Sequence, residues 1–260
     1  MAIITKIPGV TFTDTALPKL YRDSVINTGT EWVYDALDTY SYPAQSAPTA
    51  GDVWGSLTPA AANATFSGTG VGFSGGFTKT GAGYFTTPTT GKVGASADGL
   101  LFVIWFKYGT QATSGYNGIA GLFDSNFVHQ YGLTIDNNVS NGNILGRLNN
   151  GAYGMAILNG VPSGTIYQIA MSLKKQTDGT YVGAYYRNGV LLGSSAAGSS
   201  IAQPVATAPR IGSVASGAYS GNFQGTIYRS FFDNTSTLAD QAAITALVLK
   251  DYTDNVSRFT

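Results

Sequence analysis

Residues 166–195 read IYQIAMSLKKQTDGTYVGAYYRNGVLLGSS, and two dipeptides in this stretch, Asp178-Gly179 and Asn188-Gly189, restrict the fold more than any other feature of the chain. Glycine enters the left-handed backbone region without steric cost, and Asp and Asn tolerate it, so DG and NG between apolar runs specify tight hairpins. Between them, Val182, Ala184 and Tyr186 alternate with Tyr181, Gly183, Tyr185 and Arg187, which is the period of a half-buried strand. Three consecutive antiparallel strands are expected.

The rest of the chain repeats this logic with weaker punctuation. Leu100 to Tyr108, LLFVIWFKY, is a continuous apolar run and predicts a central strand buried on both faces. Short strands are expected at 119–123, 131–135, 144–148, 152–158, around Arg210-Ile211, and across 222–232. Residues 43–64, rich in Pro, Gly and small side chains and containing Trp54, read as loop. One helix is credible. Thr237 is placed to cap it, with Asp240 three residues on. Ala243, Ile244, Leu247 and Val248 form its apolar stripe, and it should end near Lys250 and close one end of the fold. About twelve to fourteen strands with Gly/Asn turns between them predict an all-β, two-sheet antiparallel sandwich. Residues 1–30, broken by Pro8, Gly9 and Pro18 yet rich in apolar side chains, are expected to be an extended N-terminal arm. That arm either adds a strand to a sheet edge or docks on a partner; residues 31–260 form the sandwich.

Charge narrows the function. Fourteen basic residues balance fourteen acidic ones, and only 11% of the chain is charged, so no electrostatic footprint for nucleic acid or anionic membrane is present. The chain contains no cysteine, which removes disulfides, thiolate catalysis and zinc–thiolate sites together. No apolar run approaches the ~18 residues of a spanning helix, so membrane insertion is not expected. The first residues, MAIITKIPGVTF, lack the apolar core of a secretory signal. Assembly inside a cell with release by lysis would reconcile that with a surface poor in charge.

The pieces IAMSLK, YVGAYYRNGV and LLGSS, with PRIGS (209–213), GTIYRSFFDNTSTLADQAAITAL (225–247) and GVGFSGGFTKTGAGYFTTP, resemble laminin-G-like, concanavalin A-like jelly-roll domains over about residues 65–250. The arm, VTFTDTALPKLYRDSVI, together with EWVYDALDTY, resembles segments that tailed-bacteriophage structural proteins place before such domains. The resemblance implies a jelly-roll sandwich and a virion protein.

Candidate chemistry is sparse. Retaining glycosidases on this sandwich use two neighbouring carboxylates. The chain has a single Glu, Glu31, outside the expected sandwich, and its closest acidic pairs are Asp35/Asp38 and Asp251/Asp254, read as solvated or capping groups. The single histidine, His129, has no G-x-S-x-G elbow to serve and is expected to be a hydrogen-bonding loop residue. Asp124 and Asn126, in GLFDSNFVHQYGLTID, offer the oxygen ligands that suit calcium; the other reading is an Asx turn. Tyr116, Asn117, Tyr131, Asn149, Asn150, Tyr153 and Tyr219 lie in or beside expected loops and would line one rim, where aromatic rings stack on sugars and amides bridge hydroxyls.

The leading expectation is therefore a non-enzymatic bacteriophage virion subunit (head decoration, fibre or tail-associated) that joins other virion proteins, capsid or tail, through its arm. It is expected to be a homo-oligomer, with trimer the guess, and to need no cofactor beyond that calcium. The alternative is a lectin-like module recognising host cell-surface glycan. A capsule-degrading enzyme is the third.

Overall fold

The structure is a computed structural model that describes residues 23–60, 62–111, 115–137, 142–205, 208–215 and 221–259. Two sheets of eight and nine strands face each other, antiparallel except for one two-residue parallel pairing. The first sheet contains β1 (Thr30–Asp35), β4 (Val71–Phe73), β5 (Phe77–Lys79), β7 (Gly99–Tyr108), β12 (Ile166–Lys175), β13 (Tyr181–Arg187), β14 (Val190–Ala196) and β17 (Gly225–Asp233). The second contains β2 (Val53–Trp54), β3 (Ala64–Ser67), β6 (Tyr84–Thr86), β8 (Tyr116–Phe123), β9 (His129–Asp136), β10 (Asn143–Leu148), β11 (Tyr153–Asn159), β15 (Arg210–Ile211) and β16 (Gly221–Asn222). One helix, α1 (Gln241–Asn255), follows.

The turn dipeptides place β12, β13 and β14 as expected. Lys175 pairs with Tyr181 across the first turn and Arg187 with Val190 across the second. Asn188 and Gly189 take φ of 52° and 78°, the left-handed pair that a two-residue hairpin requires.

β7 is the central strand that its apolar run predicts. Leu100, Phe102, Ile104 and Phe106 point between the sheets, whereas Leu101, Val103 and Trp105 point outward into a second apolar layer. That layer exists because α1 lies across the outer face of the first sheet, seating Ile244 and Val248 against it. The helix thus covers a face and does not close an end.

Its start also differs from expectation. Asp240, in extended conformation, accepts from the Ala243 N–H and is the N-cap. Thr237 is engaged elsewhere, its hydroxyl donating to Asn27 Oδ1 at 2.8 Å.

Three other expectations are corrected. Trp54 lies on a strand and is fully buried, because its indole packs against Tyr34, Phe77 and Phe85. Glu31 belongs to the sandwich, on β1, and its Oε1 accepts from Asn234 Nδ2 at 2.8 Å. His129 is a buried strand residue and not a loop residue. Of the expected arm, residues 1–22 lie outside the described residues, and Val25 and Ile26 are buried in the outer apolar layer.

A buried ionic network joins these parts. Arg229 of β17 is wholly inaccessible. Its two terminal nitrogens meet both oxygens of Asp23 at 2.7 and 3.0 Å, Nη1 reaches Asp35 at 3.3 Å and Nε meets Asp251 of α1 at 2.9 Å. Asp251 also accepts from Trp105 Nε1 at 2.7 Å and Gln168 Nε2 at 2.8 Å. Asp35 is shared with Arg258 at 2.7 Å.

Candidate functional site

The residues expected to line one sugar-binding rim do not share one. Strand register sets Tyr116 opposite Asp136, and Asp136 opposite Asn143. Leu148, at the other end of β10, pairs with both Tyr131 and Tyr153. Tyr116 and Asn117 therefore lie at one end of the second sheet, and Asn149, Asn150 and Tyr153 at the opposite end.

Several of them are also inside. Tyr131 is fully buried, stacked on Phe102 at 4.8 Å with its hydroxyl donating to Gly91 O at 3.0 Å; it is a core residue, and its phenol is held far above its ordinary pKa by burial. Asn117 is buried under β16. Asn149 is buried as a loop bolt, donating to Ala197 O and Ser200 O and accepting from Ala202 N. Tyr153 packs half-buried on Tyr185, and Tyr116 lies beneath the Arg147 guanidinium. Asn150 is an exposed turn residue in the left-handed region. Tyr219 lies outside the described residues.

Asp124, offered with Asn126 as a calcium ligand or an Asx turn, is buried, and three N–H donors engage its carboxylate: Asn126 N at 2.8 Å and Val128 N at 3.0 Å on Oδ1, and Val205 N at 3.0 Å on Oδ2. Burial acts to raise this acid, but the three backbone donors outweigh it and hold it below its usual pKa. A carboxylate that satisfies backbone donors in this way forms an Asx turn.

Beside it, His129 stacks on Phe123 at 4.7 Å, its Nδ1 2.7 Å from Phe127 O. Burial lowers its pKa despite that carbonyl. The buried imidazole is therefore a packing group.

The acidic pairs resolve similarly. Asp35 and Asp251 enclose Arg229 in the buried network, and Asp254 pairs with Lys250 on the exposed face of α1. Among the described residues, no group of three or more His, Cys, Asp or Glu side chains is placed to hold a metal.

The largest described groove lies elsewhere, between residues 40–44 and 52–63, with a volume of about 710 Å³. This falls within the roughly 300–1,000 Å³ of small-molecule sites. Its walls are fixed by short backbone contacts. Gly55 N donates to Ser41 O at 2.7 Å, and Leu57 N donates to Val33 O at 2.8 Å, so residues 55–57 extend the free edge of β1. A Cβ at Gly55 would stand 3.2 Å from Ser41 O, a tight contact.

Behind the groove wall, in the core, Tyr34 and Trp54 pack on each other at 5.2 Å, with Tyr34 donating to Ala62 O at 2.6 Å. At the lip, Tyr40 is 61% exposed and Val53 47%. The Asp38 carboxylate sets the turn that presents Tyr40, accepting its N–H at 2.8 Å. Asn63 is exposed and uses its Oδ1 on Ser56 N, which turns its amide donor away from that contact. Asp52 is half-buried beside them, with Oδ2 on Thr49 N at 2.7 Å. Burial and the nearby Asp52 charge raise the Tyr42 phenol above its ordinary pKa.

The groove thus offers an exposed aromatic ring, a carboxylate and an amide. Sequence reading passed over it because residues 43–64 carry only loop composition. The available signal was an aromatic-lined turn, DALDTYSYP (35–43), directly after a strand.

No family model matches the chain, and no curated protein matches it. Similar solved structures include a Trypanosoma rangeli sialidase in complex with sialic acid, at 14% identity and a TM-score of 0.58 over 87% of this chain. The receptor binding domain of a botulinum neurotoxin C/D mosaic serotype matches at 12% identity and a TM-score of 0.52 over 89%. Domain 4 of a GH43 extracellular arabinanase from Geobacillus stearothermophilus, in complex with arabinotriose, matches at 14% identity and a TM-score of 0.44 over 84% of this chain and 98% of that domain. This chain spans 34% of the sialidase and 52% of the toxin domain. At these identities the likeness to the sialidase and the toxin domain is one of fold: an all-β two-sheet antiparallel sandwich.

Proposed function

We propose that this chain is a non-enzymatic carbohydrate-binding module that seats glycan in the groove between residues 40–44 and 52–63. The observation that carries the reading is the exposed Tyr40 ring at the lip of the groove. A pyranose face stacks on such a ring, as bases do at roughly 1–3 kcal/mol per ring, while Asn63 and Asp52 bridge hydroxyls. The acidic residues brought together among the described residues, Asp23, Asp35 and Asp251, are each ion-paired to the buried Arg229, which favours binding without hydrolysis. The test is a glycan array probed with the full chain and with Tyr40→Ala and Asn63→Ala. Tyr40→Ala is expected to abolish binding while the thermal midpoint stays unchanged, and Asn63→Ala to weaken binding with a small loss of stability from its bond to Ser56 N; an array without any bound glycan refutes the reading.

A second reading concerns display on a bacteriophage particle, with residues 1–22 as the attachment segment. It is favoured by the root of that segment: Asp23 is clamped by both terminal nitrogens of Arg229, and Val25 and Ile26 are buried just after it. An attachment segment needs such a fixed origin to hold the sandwich in one orientation. Removal of residues 2–22 should leave the sandwich folded and abolish its incorporation into particles. Normal incorporation would refute this reading.

A further inference from the structure

We infer that the groove selects neutral glycans and rejects sialylated or uronate-bearing ones; the inference rests on the glycan-binding reading above. Charge in the lining is its basis. Among the described lining residues there is one carboxylate, Asp52, and no lysine, arginine or histidine. A neutral sugar meets this surface well. Its hydroxyls donate to the Asp52 carboxylate and accept from the Asn63 amide, and one ring face covers Tyr40.

An acidic sugar meets it badly. Its carboxylate would lose water without gaining a counter-ion, and would approach a like charge. Cations of neighbouring elements are already engaged. Arg229 and Arg258 both bind Asp35, the residue that ends the strand leading into the groove, and Lys79 donates to the Gly81 and Gly83 carbonyls. Lys92 and Lys174 line other clefts and donate to the backbone carbonyls of Pro204 and Thr235.

The experiment is calorimetric titration of the full chain with matched pairs that differ only by the acidic sugar, lactose against sialyllactose first. Neutral xylo-, gluco-, galacto- and arabino-oligosaccharides are then compared with their uronate counterparts. The neutral member is expected to bind at least about 10-fold more tightly. Asp52→Asn should narrow the gap by about 4-fold, the effect of one unit charge about 5 Å away in water. Equal or tighter binding of the acidic member, lost in Tyr40→Ala, overturns this inference and leaves the glycan-binding reading standing. Binding of no sugar at all overturns both. A gap unchanged by Asp52→Asn overturns the electrostatic basis of the selection.

Discussion

Replacing Arg229 with Met removes the one cation that three carboxylates share inside the protein. The methionine fills most of the aliphatic volume, so the loss is electrostatic and not a cavity. Asp23 loses both its guanidinium contacts and Asp251 its contact with Arg229 Nε, while Asp35 keeps Arg258 at 2.7 Å. Breaking a buried ion pair from one side costs about 3–5 kcal/mol, because the remaining charge is stranded away from water. For a chain of 260 residues, an unfolding entropy of about 2 cal/mol/K per residue converts this to a midpoint lowered by about 5–9 °C.

The pH dependence adds a second check. Burial raises Asp23, but Arg229 outweighs it and holds the acid below its usual pKa. Its contribution to wild-type stability is therefore present above about pH 4 and lost as pH falls through the lower native value. In the variant that contribution is gone, and a protonated carboxyl needs no counter-ion, so the deficit should shrink as the pH is lowered. Urea unfolding followed by Trp105 fluorescence reads both effects, since its indole donates to Asp251. A loss below about 1 kcal/mol at pH 7, or one that does not change with pH, would refute the view that this network is a compensated buried charge cluster.

Three further outcomes are expected. Gly99→Ala should lose at least about 3 kcal/mol, read by urea unfolding, because Gly99 has φ +149° and a Cβ there would stand 2.0 Å from Leu173 O in the β7–β12 ladder. Asp124→Asn should lose about 1–3 kcal/mol at pH 7 by removing charge-assisted acceptors; since the native acid is depressed, the two unfolding curves should converge in acid. Lys79 is buried and its pKa is lowered by desolvation to about 8, so native lysine sheds its proton before unfolded lysine does. Wild-type stability should therefore rise between about pH 8 and pH 10, and Lys79→Met should flatten that slope in pH-resolved thermal melts.

The fold was legible wherever a local rule dominates. Asn188-Gly189 and Asp178-Gly179 encode their hairpins in four residues, and the β7 run encodes burial on both faces through its length without a polar break. The helix stripe was legible too, but not its cap, because Thr237 and Asp240 both suit that role and only the contact with Asn27 decides between them. The candidate site was nearly illegible. Tyr131 and Tyr40 are the same residue type beside the same kind of turn-rich segment, and their positions in the sandwich alone make one a core stack and the other 61% exposed. Asp124 shows the same limit: an Asp–Asn pair in a loop suits a cation until backbone N–H groups arrive from a segment about eighty residues away.

The placement of β17 has a consequence for synthesis. This strand lies between β7 on one side and β5 and β1 on the other, so the first strand of the sandwich pairs with the last. A nascent chain carries Trp32, Val33 and Tyr34 without their β17 partners until residue 233 has been made. The pairing of β1 with β17 is thus a late, long-range event, slow by its loop entropy, although β7, β12, β13 and β14 of the same sheet can pair earlier. Nascent chains stalled before residue 225 would expose an apolar strand to whatever chaperone or neighbour reaches it first.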